Sequence, residues 1–173
     1  MENQASTKNI IINYGLILGV IGLLPSLIKY AMGGNYLEND SISGILSVIV
    51  SIIFIVLAYK KFKTNNNGFM TWGQGVKIGM GIIFISMIIT ILYLLLFTNF
   101  IEPDFKAQVI EASEQKWIDA GYSDDQIEMS KEMTNKYFNL SMFGGIAIMS
   151  LFFGFVVSAI TSAIMKKNEE EQY

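Results

Sequence analysis

Four long apolar stretches, at about residues 10–31, 42–59, 76–99 and 140–165, carry no ionised side chain in their central portions. Each is close to the roughly 20 residues that an α-helix needs to cross a bilayer core. A backbone in hydrocarbon must satisfy its own hydrogen bonds, so the stretches are predicted to be helices. The chain then reads as an all-α, polytopic membrane protein with four transmembrane helices. A bundle of four uses nearly the whole length, so residues 1–173 are expected to form a single integral membrane domain. Charged residues make up 16% of the chain, against about a quarter in soluble domains, and the deficit lies inside the four stretches. One lysine, Lys8, precedes the first stretch and no A-x-A-like cleavage site follows it, so that stretch is expected to be a retained helix.

Composition narrows the chemistry. Cys and His are absent, and all 12 cations are lysine. No disulfide framework or thiolate metal site can form. The commonest general base and metal ligand is missing, and so is the guanidinium fork that recognises phosphate or carboxylate in bidentate fashion. A net charge of −3 argues against nucleic-acid binding.

The lysines also set an orientation. Lys60, Lys61, Lys63 and Lys77 crowd the connection between the second and third stretches, Lys166 and Lys167 follow the fourth, and Lys8 precedes the first. With four crossings all of these fall on one side. Glu38, Asp40 and the acidic connection 99–139 fall on the other. The positive-inside rule then predicts N- and C-termini in the cytoplasm. Lys106, Lys116, Lys131 and Lys136 oppose this, but they lie among more acids in a longer segment, where the rule weakens. Lys60, Lys61 and Lys63 would also meet anionic membrane lipid.

Local signals mark the helix ends. Ser6 or Thr7 is the expected cap of the first helix, Pro25 should kink it, and Gly33-Gly34-Asn35 should end it. Lys29 near its outer end reads as a snorkelling cation, with a buried functional cation as the alternative. Asn65-Asn66-Asn67-Gly68 is a turn. Thr71-Trp72-Gly73-Gln74 matches a capping box, with the Trp72 indole at headgroup level and its N–H wet. Pro103 and Asp104 favour a helix start, Gly121 a stop, and Ser123-Asp124-Asp125-Gln126 a second capping box. Met129, Met133 and Tyr137 recur every four residues, and no breaker separates them from the last stretch. One helix from about Asp124 to Lys166, on the order of 60 Å, is therefore predicted. Its outer third should pack on the preceding helix as an extracytoplasmic helical hairpin at about 103–138.

Small residues mark the expected helix-packing faces: Gly15 and Gly19, Gly75 and Gly79, and Ser150, Gly154, Ser158 and Ser162 at four-residue intervals. Ser47 and Ser51 would allow a further close contact. Such faces draw helices together in lipid, within one bundle or between two copies. No catalytic, cofactor or metal site is expected. The spans hold Ser and Thr but no His, Asp or Glu to activate them. Glu102, Asp104, Asp124, Asp125 and Glu128 fall at predicted helix starts, where capping and the dipole explain them better than calcium. By elimination the chain reads as a non-catalytic membrane protein. Its partners would be lipid and either further copies of itself or another membrane protein. The alternative is a small oligomeric transporter or channel component lined by Thr90, Ser150 or Ser158.

Several of these elements together resemble domain-of-unknown-function family 4199. They are Tyr14-Gly15, Thr71-Trp72-Gly73-Gln74-Gly75, Ile101-Glu102-Pro103-Asp104-Phe105, Gly121-Tyr122-Ser123, and the small-residue helix ending in Lys166-Lys167. The resemblance implies a four-helix protein of the bacterial inner membrane, mainly from Bacteroidota, and brings no activity or site residue with it.

Overall fold

A computed structural model of the protein describes residues 2–34 and 41–168. Asn35, Glu38, Asp40 and the tail beyond 168 lie outside the described residues. Among the described residues five α-helices follow one another: α1 (Glu2–Ala31), α2 (Ser41–Asn65), α3 (Trp72–Leu96), α4 (Phe105–Asp119) and α5 (Asp124–Met165). No strand occurs among the described residues. α1 begins ahead of Ser6 and Thr7, since nothing in the preceding residues stops a helix. Pro25 lies inside α1, where it removes one backbone donor without ending the helix.

The ends are closed by backbone geometry. After α1, Gly33 has φ of 69°, Gly33 N donates to Tyr30 O and Gly34 N to Lys29 O. After α4, Gly121 has φ of 79°, with Gly121 N donating to Ile118 O and Tyr122 N to Trp117 O. Both are Schellman closures, which need a left-handed residue and therefore favour glycine. Both predicted capping boxes form. Thr71 accepts from Gln74 N and Ser123 from Gln126 N, and each glutamine side chain reaches back to the cap N–H. α5 is then one unbroken helix of 42 residues, about 63 Å long at 1.5 Å per residue.

α3 leaves its α-helical path in a π-helical turn, Phe97–Ile101, in which Glu102 N donates to Phe97 O at 2.8 Å. Thr98 Oγ1 and Asn99 Nδ2 donate back to the carbonyls of Leu94 and Leu95. The wider turn was not foreseen from the sequence, which places a simple exit at Asn99.

α3 is the central element and packs most extensively on α1 and α5. The contact with α5 is antiparallel and in strict register: Gly75 meets Ser162, Gly79 meets Ser158, and Ile83 meets Gly154. A Cβ added to Gly79 would lie 2.7 Å from Ser158 Cβ, and one on Gly154 would lie 2.7 Å from Ile83 Cγ2. The contact with α1 is parallel, with Ile11 over Gly81, Gly15 against Ile85 and Gly19 against Ile89. α2 closes the core through Ile55, Ala58, Tyr59 and Phe62, which are buried with Ile10, Leu18, Ile78 and Ile82. The arrangement is a row of α1, α3 and α5 with α2 laid over it. The rest of the apolar surface faces outward: only 11 to 22% of the most apolar window of each long helix is buried.

This packing makes a direct expectation. Gly79→Leu should lower the melting temperature in detergent by the equivalent of about 1–3 kcal/mol, the usual cost of overpacking. Gly22→Ala, whose new methyl would meet nothing within 4 Å, should leave it unchanged or raise it. Equal effects of the two substitutions in a thermal unfolding assay would contradict the packing described.

Candidate functional site

At the lysine-bearing end, α2, α3 and α5 are bound into a clamp of polar contacts. Trp72 Nε1 donates to Ala159 O at 3.1 Å, and Ser162 Oγ donates to Trp72 O at 2.7 Å. Tyr59 OH donates to Ser158 O at 3.2 Å. Just outside the helices, Met70 and Lys167 pair as an isolated antiparallel bridge, N to O at 3.0 and 2.9 Å. The Trp72 indole N–H is therefore spent on α5 rather than left wet. The reason is proximity: Gly75 lets α5 approach so closely that the Ala159 carbonyl comes within reach. The Met70–Lys167 pair had no signal in the sequence beyond the apolar character of Met70, which is fully buried.

Of the small-residue stripe on α5, the structure brings Gly154, Ser158 and Ser162 onto α3. Ser150, one turn earlier on α5, lines a cleft of about 180 Å³ between α2, α3 and α5, together with Gly154 and with Ile83 and Met87 of α3. Ser47, Ser51, Ser86 and Thr90 line the same cleft. Ser47 and Ser51 thus do not form a close helix contact. They donate to the carbonyls of Ser43 and Ser47, and Thr90 donates to Ser86 O. Hydroxyls engaged this way keep only acceptor capacity toward a visitor. Ser158 is apart from the cleft, fully buried, and its Oγ makes no hydrogen bond.

The opposite end is organised around aromatic rings. Tyr30, Tyr93, Phe97, Phe105 and Phe138 form a chain with centroid separations of 5.1 to 6.3 Å, linking α1, α3, α4 and α5. The Glu102 carboxylate accepts from Gln108 Nε2 at 2.8 Å and from Tyr30 OH at 3.3 Å. α4 also meets α5 through Lys131 Nζ and Glu114 Oε1 at 2.7 Å, both partly exposed. The hydrogen bond to Glu114 holds Lys131 above the ordinary lysine pKa. Asp104, Glu111, Glu128 and Glu132 line an open groove there with Lys106 and Lys131. Among the described residues no group of three or more acids converges as metal ligands would. Lys29 is half-buried beside the turn at Gly34.

The seven lysines of the topology argument are distributed accordingly. Lys60, Lys61, Lys166 and Lys167 are exposed and Lys63 is half-buried. Lys8 shares a cleft with Lys77, and Lys61 shares another with Asn9 and Asn13. They gather at one end of the row.

Among the described residues the chain is all-helical, and four of its helices are long and apolar enough to cross a membrane. The sequence profile of the family described as Protein of unknown function (DUF4199) matches residues 13–167, and the chain belongs to that family. The match spans both capping boxes and the α3 contacts of Gly15, Gly19, Gly75, Gly79 and Gly154. No curated protein and no solved structure matches the chain.

The clamp and the buried serine give opposite expectations for one change. Ser162→Ala should cost about 0.5–1.5 kcal/mol, the net worth of a hydrogen bond, read as a lower melting temperature in detergent. Ser158→Ala removes a hydroxyl with no partner and should be neutral or stabilising. A larger loss for Ser158→Ala than for Ser162→Ala would show the roles assigned here to be reversed. At the other end, the Lys131–Glu114 contribution is fully present below the ordinary lysine pKa and is lost only as pH rises through the raised folded value. Amide exchange protection of α4 should therefore be alike at pH 6 and pH 8, whereas Phe105→Ala should reduce it at both.

Proposed function

We propose that this is a non-catalytic integral protein of the bacterial inner membrane, with N- and C-termini in the cytoplasm, that works as an accessory, partner-binding component. In this reading α4 and the first third of α5 form an extracytoplasmic hairpin. The observation that carries it is a stripe on α5: Met129, Met133 and Tyr137 are 58, 56 and 43% exposed. Glu128, Lys131, Glu132 and Asn135 take the side toward α4, which leaves the apolar stripe uncovered. Exposed methionine and aromatic residues are the usual material of adaptable binding surfaces. The hairpin is held to the spans by the chain of aromatic rings, so a load on it is passed to α1, α3 and α5. A bundle needing only closure would use a connection of a few residues.

Orientation is supported by the lysines gathered at one end. A non-catalytic role is supported by the economy of the span hydroxyls, several of which are bonded to their own helix. The partner would be another membrane protein or a second copy. The hydroxyl-lined cleft between α2 and α5 favours a second reading, an oligomeric transporter or channel component in which Thr90 and Ser150 line a path. The closed contacts of Gly75 and Gly79 with Ser162 and Ser158 weigh for the first.

Replacing Met129, Met133 and Tyr137 together by Gln should abolish species crosslinked to the hairpin in native membranes, with no loss of thermal stability. Retention of the same crosslinked species would refute the assignment of this face. Reporter fusions at the two ends should both give cytoplasmic signals.

A further inference from the structure

We propose that the cleft between α1 and α3 at the lysine-bearing end is a binding site for an anionic diacyl phospholipid, held by Lys8 and Lys77. The inference rests on the membrane placement argued above. The cleft has a volume of about 660 Å³, and its lining divides by depth. Lys8 lies in the second turn of α1, and Gln74 and Lys77 lie in the first two turns of α3. Ile11, Ile12, Phe62 and Ile85 supply its apolar lining. From Lys77 to Ile85 the lining descends about 12 Å along α3 at 1.5 Å per residue. A cationic mouth above an apolar lane of that length suits a phosphate headgroup followed by the upper part of its acyl chains.

The electrostatics favour an anion for three separate reasons. Both lysines are exposed, and no acid lines the cleft among the described residues. The first turn of α3 carries no acid, so the positive end of its dipole is unopposed and two cations are added to it. Gln74 spends its Oε1 on Thr71 N at 2.8 Å, which leaves its amide hydrogens as donors. The lane itself is fixed, because Gly15 against Ile85 and Gly81 against Ile11 set the spacing of α1 and α3. This differs from diffuse attraction of lipid to Lys60 and Lys61, which do not line the cleft.

The test uses the full chain purified in a nonionic detergent, with thermal stabilisation titrated by phosphatidylglycerol, phosphatidylcholine or inorganic phosphate. Phosphatidylglycerol should stabilise, and phosphatidylcholine and phosphate should not. Lys8→Ala with Lys77→Ala should weaken the phosphatidylglycerol response on the order of tenfold or more, since each lysine near an anionic headgroup contributes measurably. Lys60→Ala with Lys61→Ala removes the same charge at the same end and should keep the response. Ile12→Trp, which fills the lane and leaves the lysines in place, should also lose it. An unchanged response in the Lys8, Lys77 variant, or an equal loss in the Lys60, Lys61 variant, overturns the site. Stabilisation by phosphate as strong as by phosphatidylglycerol overturns the lipid as occupant. A chain that stays monodisperse without detergent would defeat the membrane placement instead, a result distinct from all of these.

Discussion

The close approach of α3 to two neighbours is the constraint from which the rest of the structure follows. On the membrane reading, lipid is as apolar as leucine, so burying leucine gives no attraction between helices. Cohesion must come from van der Waals contact, and contact is densest where one helix offers no side chain and its partner fills the gap. α3 does this on two faces, with Gly75 and Gly79 toward α5 and Gly81 toward α1. α1 and α5 answer with glycines of their own at Gly15, Gly19 and Gly154. Each glycine faces a side chain of the partner helix, isoleucine along the α1 seam and serine or isoleucine along the α5 seam, and that pairing fixes register as well as distance.

Once α5 is drawn that close, polar groups on facing helices come within bonding distance. The Trp72 indole, the Ser162 hydroxyl and the Tyr59 hydroxyl each reach the backbone of another helix. The Met70–Lys167 bridge extends the seam past the helices and ties the start of one to the end of the other. These bonds follow from the packing and do not cause it. Several of the remaining hydroxyls instead donate to carbonyls of their own helix, as Ser47, Ser51 and Thr90 do.

The two ends of the row differ in kind. One is built from lysines, hydroxyls and a short backbone pairing. The other is built from stacked rings, with Glu102 held between Tyr30 and Gln108. The π-helical turn at Phe97 belongs to this second construction, since it ends α3 while Phe97 stays buried among the rings. α5 joins the two ends as one continuous rod. That continuity carries the first third of α5, with α4 packed on it, beyond the row, and on the reading proposed above its uncovered apolar stripe is the surface for a partner.

Helix number, the capping boxes, the αL closures at Gly33 and Gly121 and the unbroken α5 were legible in the sequence, because each depends on residues within a few positions of one another. The small-residue faces were legible too, but not their partners. Glycine spacing shows that a face is smooth and says nothing about which helix will meet it, so the row of α1, α3 and α5, and the cleft that opens beside Ser150, belong to the tertiary structure. The fate of the Trp72 N–H, the Met70–Lys167 pair and the π-helical turn were also decided there, since each depends on atoms that only packing brings together. Sequence by itself determined what every segment could be, through local hydrogen bonding and hydropathy. The fold decided which segments touch, through steric fit between surfaces far apart in the chain.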